Sequence, residues 1–272
     1  MWAVALLVGA GYGWAFPDQP TRLTFLSVGQ GDCAVFQTQG TTVLIDAGPK
    51  SENYDSGKRL VLPRLAKLGV RSVDLILLTH PDEDHIGGTG SILRAYPGAR
   101  LAISEQFRNH PGLVQHLKDW RIDPNSVLWL GAVQHLRIAG FDLKIRNPVR
   151  TPTTTDNEAS MFLRLERGIG SAMLSGDAGS QTERVMEPLE DWSSQVMKAG
   201  HHGSRSSTSE SWLREVRPSY AVISCGRNNV YGHPAAVTLR RLAQKQIPTL
   251  RTDQFGDIRF EFDETRGFVL NR

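Results

Sequence analysis

The segment of residues 74–88 constrains this chain more than any other part of the sequence. After an apolar run it places four potential metal ligands within six residues, namely His80, Asp82, Asp84 and His85. In an extended segment the first three side chains lie on one side of the backbone, and a turn into a helix just after them brings His85 beside Asp84. Imidazole nitrogens and carboxylate oxygens placed together are ligands of zinc, manganese and iron. Because a helix N-terminus needs only one capping residue, the run predicts a metal site rather than a cap.

The same segment resembles the first metal motif of the metallo-β-lactamase superfamily, His-x-His-x-Asp-His, with Asp82 in place of the second histidine. The variant His-x-Asp-x-Asp-His followed by Ile-Gly-Gly is similar to the C-terminal hydrolase domain of ComEC-type competence proteins. Later segments resemble further blocks of the family, in the family's order: residues 25–32, 43–49, 157–160, 174–177, 198–204 and 226–234. The resemblance implies an α/β fold of the metallo-β-lactamase type, an αβ/βα four-layer sandwich, and a metal-dependent hydrolase.

The resemblance also implies metal ligands in the second half of the chain. Asp177 follows an apolar strand and matches the carboxylate that bridges two metal ions in the family. The family's late metal-binding histidine falls on the pair His201 and His202. Because adjacent side chains of an extended backbone face opposite ways, only one of the two is expected to point into the site. We assign His201 to the metal and His202 to a substrate phosphate or a proton transfer, and the reverse assignment stays open.

Two departures from the family pattern bear on the metal ions. Asp82 supplies an oxygen ligand where the family has an imidazole, which shifts the expected preference from zinc toward manganese. Asn157 occupies the family block nearest to a Gly-His-Thr motif that residues 90–176 do not contain. We therefore expect two divalent ions, Mn²⁺ or Zn²⁺, and a site that strongly holds only one ion is the alternative.

Polar residues near these ligands are expected to act on the substrate. His233 lies in a block that flanks the family's site, where it is a ligand or a phosphate contact. Pro234 fits the first position of a helix, which leaves the local backbone N–H groups free for anions. The residues expected to take part in catalysis are Asp84, His202 and His233, and those expected to bind the substrate are Asn157, Ser204, Arg205 and Arg227.

The remaining polar features limit the chemistry further. Asp46 ends a strand and is expected either to orient a ligand histidine or to cap a buried turn. The glycine turn of residues 29–32 lacks the lysine of a P-loop and the spacing of a dinucleotide fingerprint, so no nucleotide cofactor is expected. Cys33 and Cys225 lie in apolar stretches, which predicts two buried free thiols, with one disulfide as the alternative.

The pattern of apolar runs and glycines predicts strands and helices along the whole chain. The expected strands are residues 23–28, 33–38, 42–45, 74–79, 99–104, 161–166, 171–175, 195–198, 221–224 and 257–262. The expected helices are residues 58–68, 86–96, 112–120 and 234–245. The polar segment of residues 50–57 is expected to be a loop that overhangs the site.

Composition and the first residues address domain organisation and location. With 272 residues and 40% hydrophobic side chains, the chain is long enough for one layered domain, assigned to residues 21–272. Residues 1–17 carry no charged side chain but are shorter than a membrane span. We expect residues 1–20 to be an apolar signal, an anchor or the remnant of a transmembrane helix, with a buried segment as a further alternative. A signal or an anchor places the domain outside the cytoplasmic membrane.

The functional prediction is a phosphodiester hydrolase with two metal ions, and the resemblance narrows its substrate to single-stranded DNA degraded during DNA uptake. A membrane DNA channel is then an expected partner. The net charge of +3, with eleven Lys and Arg against seven Asp and Glu from residue 201 onward, is compatible with a polyanion. The alternatives are an esterase, lactonase or phosphorylcholine esterase of the same fold, or a DNA-binding module without catalysis.

Overall fold

Two β-sheets form the inner layers of the protein. The structure is a computed structural model and describes residues 20–271. The strands are β1 (Arg22–Phe25), β2 (Ala34–Thr38), β3 (Thr41–Ile45), β4 (Lys50–Ser51), β5 (Tyr54–Asp55), β6 (Leu75–Leu78), β7 (Arg100–Ser104), β8 (Leu128–Leu130), β9 (Val133–Ile138), β10 (Phe141–Arg146), β11 (Phe162–Arg167), β12 (Gly170–Leu174), β13 (Val196–Lys198), β14 (Tyr220–Ile223), β15 (Thr249–Arg251), β16 (Ile258–Asp263) and β17 (Gly267–Asn271). The α-helices are α1 (Leu62–Lys67), α2 (Glu83–Ile86), α3 (Thr89–Ala95), α4 (Pro111–Trp120), α5 (Ser180–Met186), α6 (Glu210–Val216), α7 (Ala236–Gln244) and α8 (Thr252–Phe255).

The two sheets share a common plan, each with an antiparallel part and a parallel part. The eight-stranded sheet has the order β17-β16-β1-β2-β3-β6-β7-β8, and its strands are parallel from β3 to β8. The seven-stranded sheet has the order β15-β14-β13-β12-β11-β10-β9, and its strands are parallel from β12 to β15. Parallel neighbours require crossover connections, and the helices of the chain supply them.

Apolar side chains on both faces of each sheet create four layers. Leu75 and Leu77 of β6 belong to the core between the two sheets, whereas Ile76 and Leu78 pack toward helices α1 to α4. On the other sheet, the alternate face of β12 to β14 packs against α5, α6 and α7. Strands covered on both faces read as continuous apolar runs, as these do. The predicted αβ/βα sandwich is therefore confirmed.

The predicted elements are found within a few residues of their expected bounds, with two informative differences. The helix expected over residues 86–96 is two helices, α2 and α3, separated at Gly87 and Gly88. The helix expected from Pro234 begins at Ala236, because Ala235 is extended and its N–H donates to the Gly203 carbonyl at 2.9 Å. Pro234 is therefore not at the first helical position.

Several elements were not anticipated from the sequence. They are the hairpin β9–β10, the strands β8, β15 and β17 at sheet edges, and the helices α5, α6 and α8. The segment expected to be a loop over residues 50–57 contains the small hairpin β4–β5. The two cysteines are buried free thiols, as predicted.

The expectation for residues 1–20 falls almost entirely outside the described residues. Within residues 20–271, no helix combines the length and the apolar character that a bilayer span requires.

Gly88 is tightly packed where the metal-motif segment meets the backbone of Ala47, just after β3, and of Gly57. A Cβ at this position would lie 2.2 Å from the Ala47 carbonyl oxygen and 2.9 Å from the backbone of Gly57. The backbone of Gly88 is helical, so only the lack of space prevents a side chain there.

We expect Gly88→Ala to lower the free energy of unfolding by about 1–3 kcal/mol, because the added methyl group overpacks a buried backbone contact. Gly98→Ala is the matched control, since a Cβ at that exposed turn meets nothing within 4 Å. Urea unfolding of the metal-free proteins measures both. Equal transition midpoints for the two variants would contradict the packing argument.

Candidate metal centre

The candidate site lies where the carboxyl ends of parallel strands from both sheets meet. Asp46 follows β3 and His80 follows β6 in the first sheet, whereas Asp177 follows β12 and the pair His201 and His202 follows β13 in the second. Ligand sites of open α/β sheets lie outside the carboxyl ends of their strands. Each sheet thus contributes part of one site.

Three buried side chains and the partly exposed Asp84 converge in this site. The Asp177 carboxylate lies 3.2 Å from Nε2 of His85 through Oδ1, and 3.3 Å from Nε2 of His202 through Oδ2. Nε2 of His202 also lies 3.1 Å from Oδ2 of Asp84. The side chains of His85, His202 and Asp177 are at most 3% exposed. Groups at these separations can share one small cation.

The buried imidazoles are all oriented by their Nδ1 atoms. These atoms contact groups of the protein: Asp46 Oδ2 at 2.8 Å for His85, the Ser224 carbonyl at 3.0 Å for His202, and Thr79 Oγ1 at 3.0 Å for His80. An Nδ1–H that donates to such an acceptor leaves the lone pair of a neutral ring on Nε2. The rings are therefore set to present Nε2 to a metal ion. Asp46 performs the orienting role that was one of its two expected roles.

Buried atoms without a partner support this interpretation. Nε2 of His80, Nε2 of His85 and Oδ1 of Asp177 are inaccessible and make no hydrogen bond. Buried polar atoms of folded proteins rarely lack a partner, and a cation bound by these lone pairs would satisfy all three. Asp32, His85, Asp177 and His202 offer ligand atoms that all lie within 4.8 Å of one another. The nitrogen and oxygen donor set fits a divalent ion such as zinc or manganese.

The two aspartates of the motif lie at the outer side of this group. Asp82 precedes α2, its side chain is 41% exposed, and its Oδ2 lies 3.6 Å from Nε2 of His80. Asp84 is 34% exposed and faces His202. The chain turns into the helix at Asp82, earlier than the expected turn at Ile86, and this turn brings His85 inward.

The structure places His202, rather than His201, in the buried ligand group. Both residues have positive φ, 46° and 52°, so the backbone is not extended and both rings face the site. The expectation that only one of the two side chains points into the site is therefore wrong. His201 is 29% exposed, its Nε2 lies 3.7 Å from Asp177 Oδ2, and the Asn157 amide nitrogen lies 3.5 Å from the same Nε2. Asn157 and His201 form an outer pair above the buried ligands.

The other expected substrate and catalytic residues are divided between the rim and the interior. The His233 ring lies 5.5 Å from the His201 ring and stacks on the exposed Tyr231 at 5.9 Å. Arg205 is exposed, and the Arg227 side chain donates to the Asp253 carbonyl at 2.7 Å. Ser204 is buried, with its hydroxyl 3.0 Å from that of Ser206, so the structure does not present it to a substrate.

Two charged residues beneath the ligands were not singled out from the sequence as site residues. Lys198 ends β13, is 3% exposed and forms an ion pair with Asp32. Asp32 ends the glycine turn and is also buried. A lysine inside an apolar strand, just before two histidines, is the signal that could have indicated it, because a buried lysine requires a carboxylate partner.

Burial and charge shift the pKa values of these groups in opposite directions. Burial alone would lower the pKa of His85 and His202, but the Asp177 carboxylate and a second aspartate beside each ring raise both well above their ordinary value. Burial raises the pKa of Asp177, but both imidazoles outweigh it and lower that pKa well below its ordinary range. At the rim, burial lowers the pKa of His201 and His233, so both rings are neutral at pH 7.

Comparison with known proteins agrees with the fold. The metallo-beta-lactamase superfamily model matches residues 26–227. ComE operon protein 3 of Bacillus subtilis is 30% identical over 260 residues, 90% of this chain and 34% of the relative. Competence protein ComA of Neisseria gonorrhoeae is 30% identical over 265 residues, 95% of this chain and 35% of the relative. The chain thus spans about a third of the length of these relatives.

A solved structure shows the same architecture. The metallo-beta-lactamase fold protein YhfI of Bacillus subtilis superimposes with a TM-score of 0.55 at 14% identity, covering 85% of this chain and 95% of that one. The family match covers most of the chain and includes Asp84, His85, Asp177 and His202. The chain therefore belongs to the metallo-β-lactamase superfamily of hydrolases.

Proposed function

We propose that this chain is a metal-dependent phosphodiester hydrolase that degrades single-stranded DNA during DNA uptake. The observation that carries the proposal is the convergence of Asp84, His85, Asp177 and His202 below a rim of neutral imidazoles. The relative named as a competence protein supports the link to DNA uptake.

The convergent carboxylates and imidazoles would hold the metal, and the rim residues would hold the phosphate. Asp84, His85, Asp177 and His202 are the residues best placed to bind a divalent ion, with His80 beside them. Bound divalent ions would supply Lewis-acid stabilisation of charge on the phosphoryl oxygens. Asn157 can donate from its amide to a phosphate oxygen, and this position lies directly above the ligand group.

In this proposal, the outer imidazoles of His201 and His233 transfer protons. A neutral imidazole near pH 7 can accept a proton from one group and return it to another, and His233 is only half-buried beside His201. His233 is the better candidate for the leaving oxygen, because Gln30 and Tyr231 hold its ring in place while one edge stays accessible.

Exposed aromatic and apolar side chains beside the site suit a nucleic-acid strand. Tyr231 is 69% exposed, Val230 is 93% exposed, and both belong to the loop that carries His233. Aromatic rings stack on bases of any sequence, and a cation such as Arg205 can follow the backbone. A neutral small-molecule ester would need neither group.

The proposal includes a location outside the cytoplasmic membrane, beside a membrane DNA channel. The curated relatives are about three times longer than this chain, so a partner or a further domain would supply the channel. This location accords with the apolar character of residues 1–17.

The proposal is tested by offering the purified, metal-loaded protein labelled single-stranded DNA, the matching duplex, and a small aryl phosphodiester, each with Mn²⁺ and with Zn²⁺. Preferred cleavage of the single strand supports the proposal. Cleavage of the small diester or of an ester alone would favour the small-molecule hydrolase, and DNA binding without cleavage would favour the binding module.

His202→Ala should weaken metal binding by about 100-fold or more. Removing a residue that only orients a ligand already weakens metal binding by about 10- to 100-fold, and removing a ligand should have a larger effect. The neighbouring variant His201→Ala is the matched control and should keep its metal while losing hydrolysis. Metal content after dialysis and the rate of DNA cleavage measure the two effects. Metal loss in the His201 variant with retention in the His202 variant would reverse our assignment.

Metal binding at pH 7 should release protons. Carboxylates hold His85 and His202 protonated in the metal-free protein by raising their pKa, whereas a ligating imidazole is neutral. Metal affinity should therefore increase with pH until the raised pKa values are passed. In the metal-free protein, the ion pairs of His85 and His202 with their carboxylates stabilise the folded state. This stabilisation is complete below the pKa of a histidine in the unfolded chain, and it is lost as pH rises through the raised pKa of the folded state. Calorimetric titration in two buffers of different ionisation enthalpy counts the protons, and a count of zero at pH 7 would contradict the argument.

Arg205→Ala should weaken binding of single-stranded DNA equally for all sequences. The slope of the logarithm of the binding constant against the logarithm of the salt concentration should decrease in magnitude by about 0.7, the value for one lost phosphate contact. Arg137→Ala removes another exposed arginine, from strand β9, and is the control. Fluorescence anisotropy at several salt concentrations, with Ca²⁺ in place of Mn²⁺ or Zn²⁺, gives both slopes. An unchanged slope in the Arg205 variant would remove this residue from the DNA path.

A further inference from the structure

Lys198 places a positive charge inside the candidate metal centre. Its ammonium group is paired with the Asp32 carboxylate, lies 3.0 Å from the Gly176 carbonyl and lies 3.6 Å from Oδ1 of Asp177. The side chain is 3% exposed, so it does not reach a substrate at the rim. A buried ammonium group in contact with the carboxylate of a candidate ligand changes the charge that a divalent ion meets.

Asp32 approaches the Nδ1 edge of two of the imidazoles. Its carboxylate oxygens are 3.6 Å from Nδ1 of His202 and 3.8 Å from Nδ1 of His85. Those Nδ1 atoms already donate to Ser224 and Asp46, and the Nε2 atoms on the opposite ring edges face Asp177. An ion held by both Nε2 atoms and Asp177 would therefore bind at the ring edges opposite to those that Asp32 approaches, while the Asp32 carboxylate lies within 4.8 Å of the ligand group.

The Lys198 ammonium group occupies the position of a cation beside Asp32. A metal ion coordinated by Asp32 would have to displace the Lys198 ammonium group, which already neutralises that carboxylate.

We infer that Asp32 is the counter-ion of Lys198 rather than a metal ligand, and that Lys198 is a positioning residue that orients Asp177 and weakens divalent-ion binding through its fixed charge. The inference goes beyond the proposed function and rests only on the metal centre, since no part of it depends on the substrate. A centre that contains its own cation holds its ions less tightly than the number of its carboxylates suggests.

The test compares Lys198→Met, Asp32→Asn and the double variant by calorimetric measurement of Mn²⁺ and Zn²⁺ affinity. Removing the ammonium group alone should tighten binding by about tenfold or more, and removing the carboxylate alone should weaken it by a similar factor. The double variant, which carries no charge at either position, should bind within about threefold of the unaltered protein.

The double variant separates the two roles of Asp32. If Asp32 were a metal ligand, the double variant would bind as weakly as Asp32→Asn, and this result would overturn the inference. Should the single variants not accumulate as folded protein, the affinity of the double variant decides alone. Failure of all proteins to cleave DNA would count against the proposed function and leave these affinities interpretable.

Arg164→Met provides the matched control for loss of a buried cation. Arg164 lies on β11 of the same sheet, is 6% exposed and pairs with Glu166 away from the metal centre. Its replacement should lower the thermal transition of the metal-free protein without changing metal affinity. Equal changes of metal affinity in the Arg164 and Lys198 variants would show that Lys198 has only a structural role.

Discussion

The hydrogen bond between Asp46 and His85 is the interaction on which the rest of the centre depends. Asp46 has a positive φ of 61° at the end of β3, and its other oxygen accepts from the Thr79 backbone at the end of β6. One carboxylate therefore fixes the spacing of two strand ends and the orientation of a ring on α2. Without this contact the imidazole could present either nitrogen, and the group that faces Asp177 would lose its geometry.

The sequence was sufficient to predict most of the fold because the inner strands are covered on both faces. Strands such as β6 and β12 are short apolar runs ended by polar residues, and this pattern is readable without structural information. The edge hairpin β9–β10 was missed, although residues 133–146 alternate in burial, because charged side chains occupy its exposed face. Position at a sheet edge is a property of the tertiary structure and has only a weak sequence signal.

The site was predictable where ligands are close in sequence and less so where the backbone is unusual. The structure brings together Asp84, His85 and Asp177, as the motif and the family order indicated. The roles predicted for His201 and His202 assumed an extended backbone. In the structure both residues have left-handed φ values, so both side chains lie at the site. The contact of Lys198 with Asp32 joins distant parts of the chain, so the lysine in its apolar strand indicates a buried carboxylate partner but not which carboxylate.

The division of the ligand group between two sheets has a thermodynamic consequence. His85 and Asp84 belong to the first half of the chain and Asp177 and His202 to the second, so a bound ion cross-links halves that otherwise meet through apolar packing. By mass action, an ion at 100 times its dissociation constant stabilises the folded state by about 2.7 kcal/mol if the unfolded chain does not bind it. The supply of metal ions in the surroundings would thereby regulate how long the whole domain survives proteolysis, as well as whether it can react.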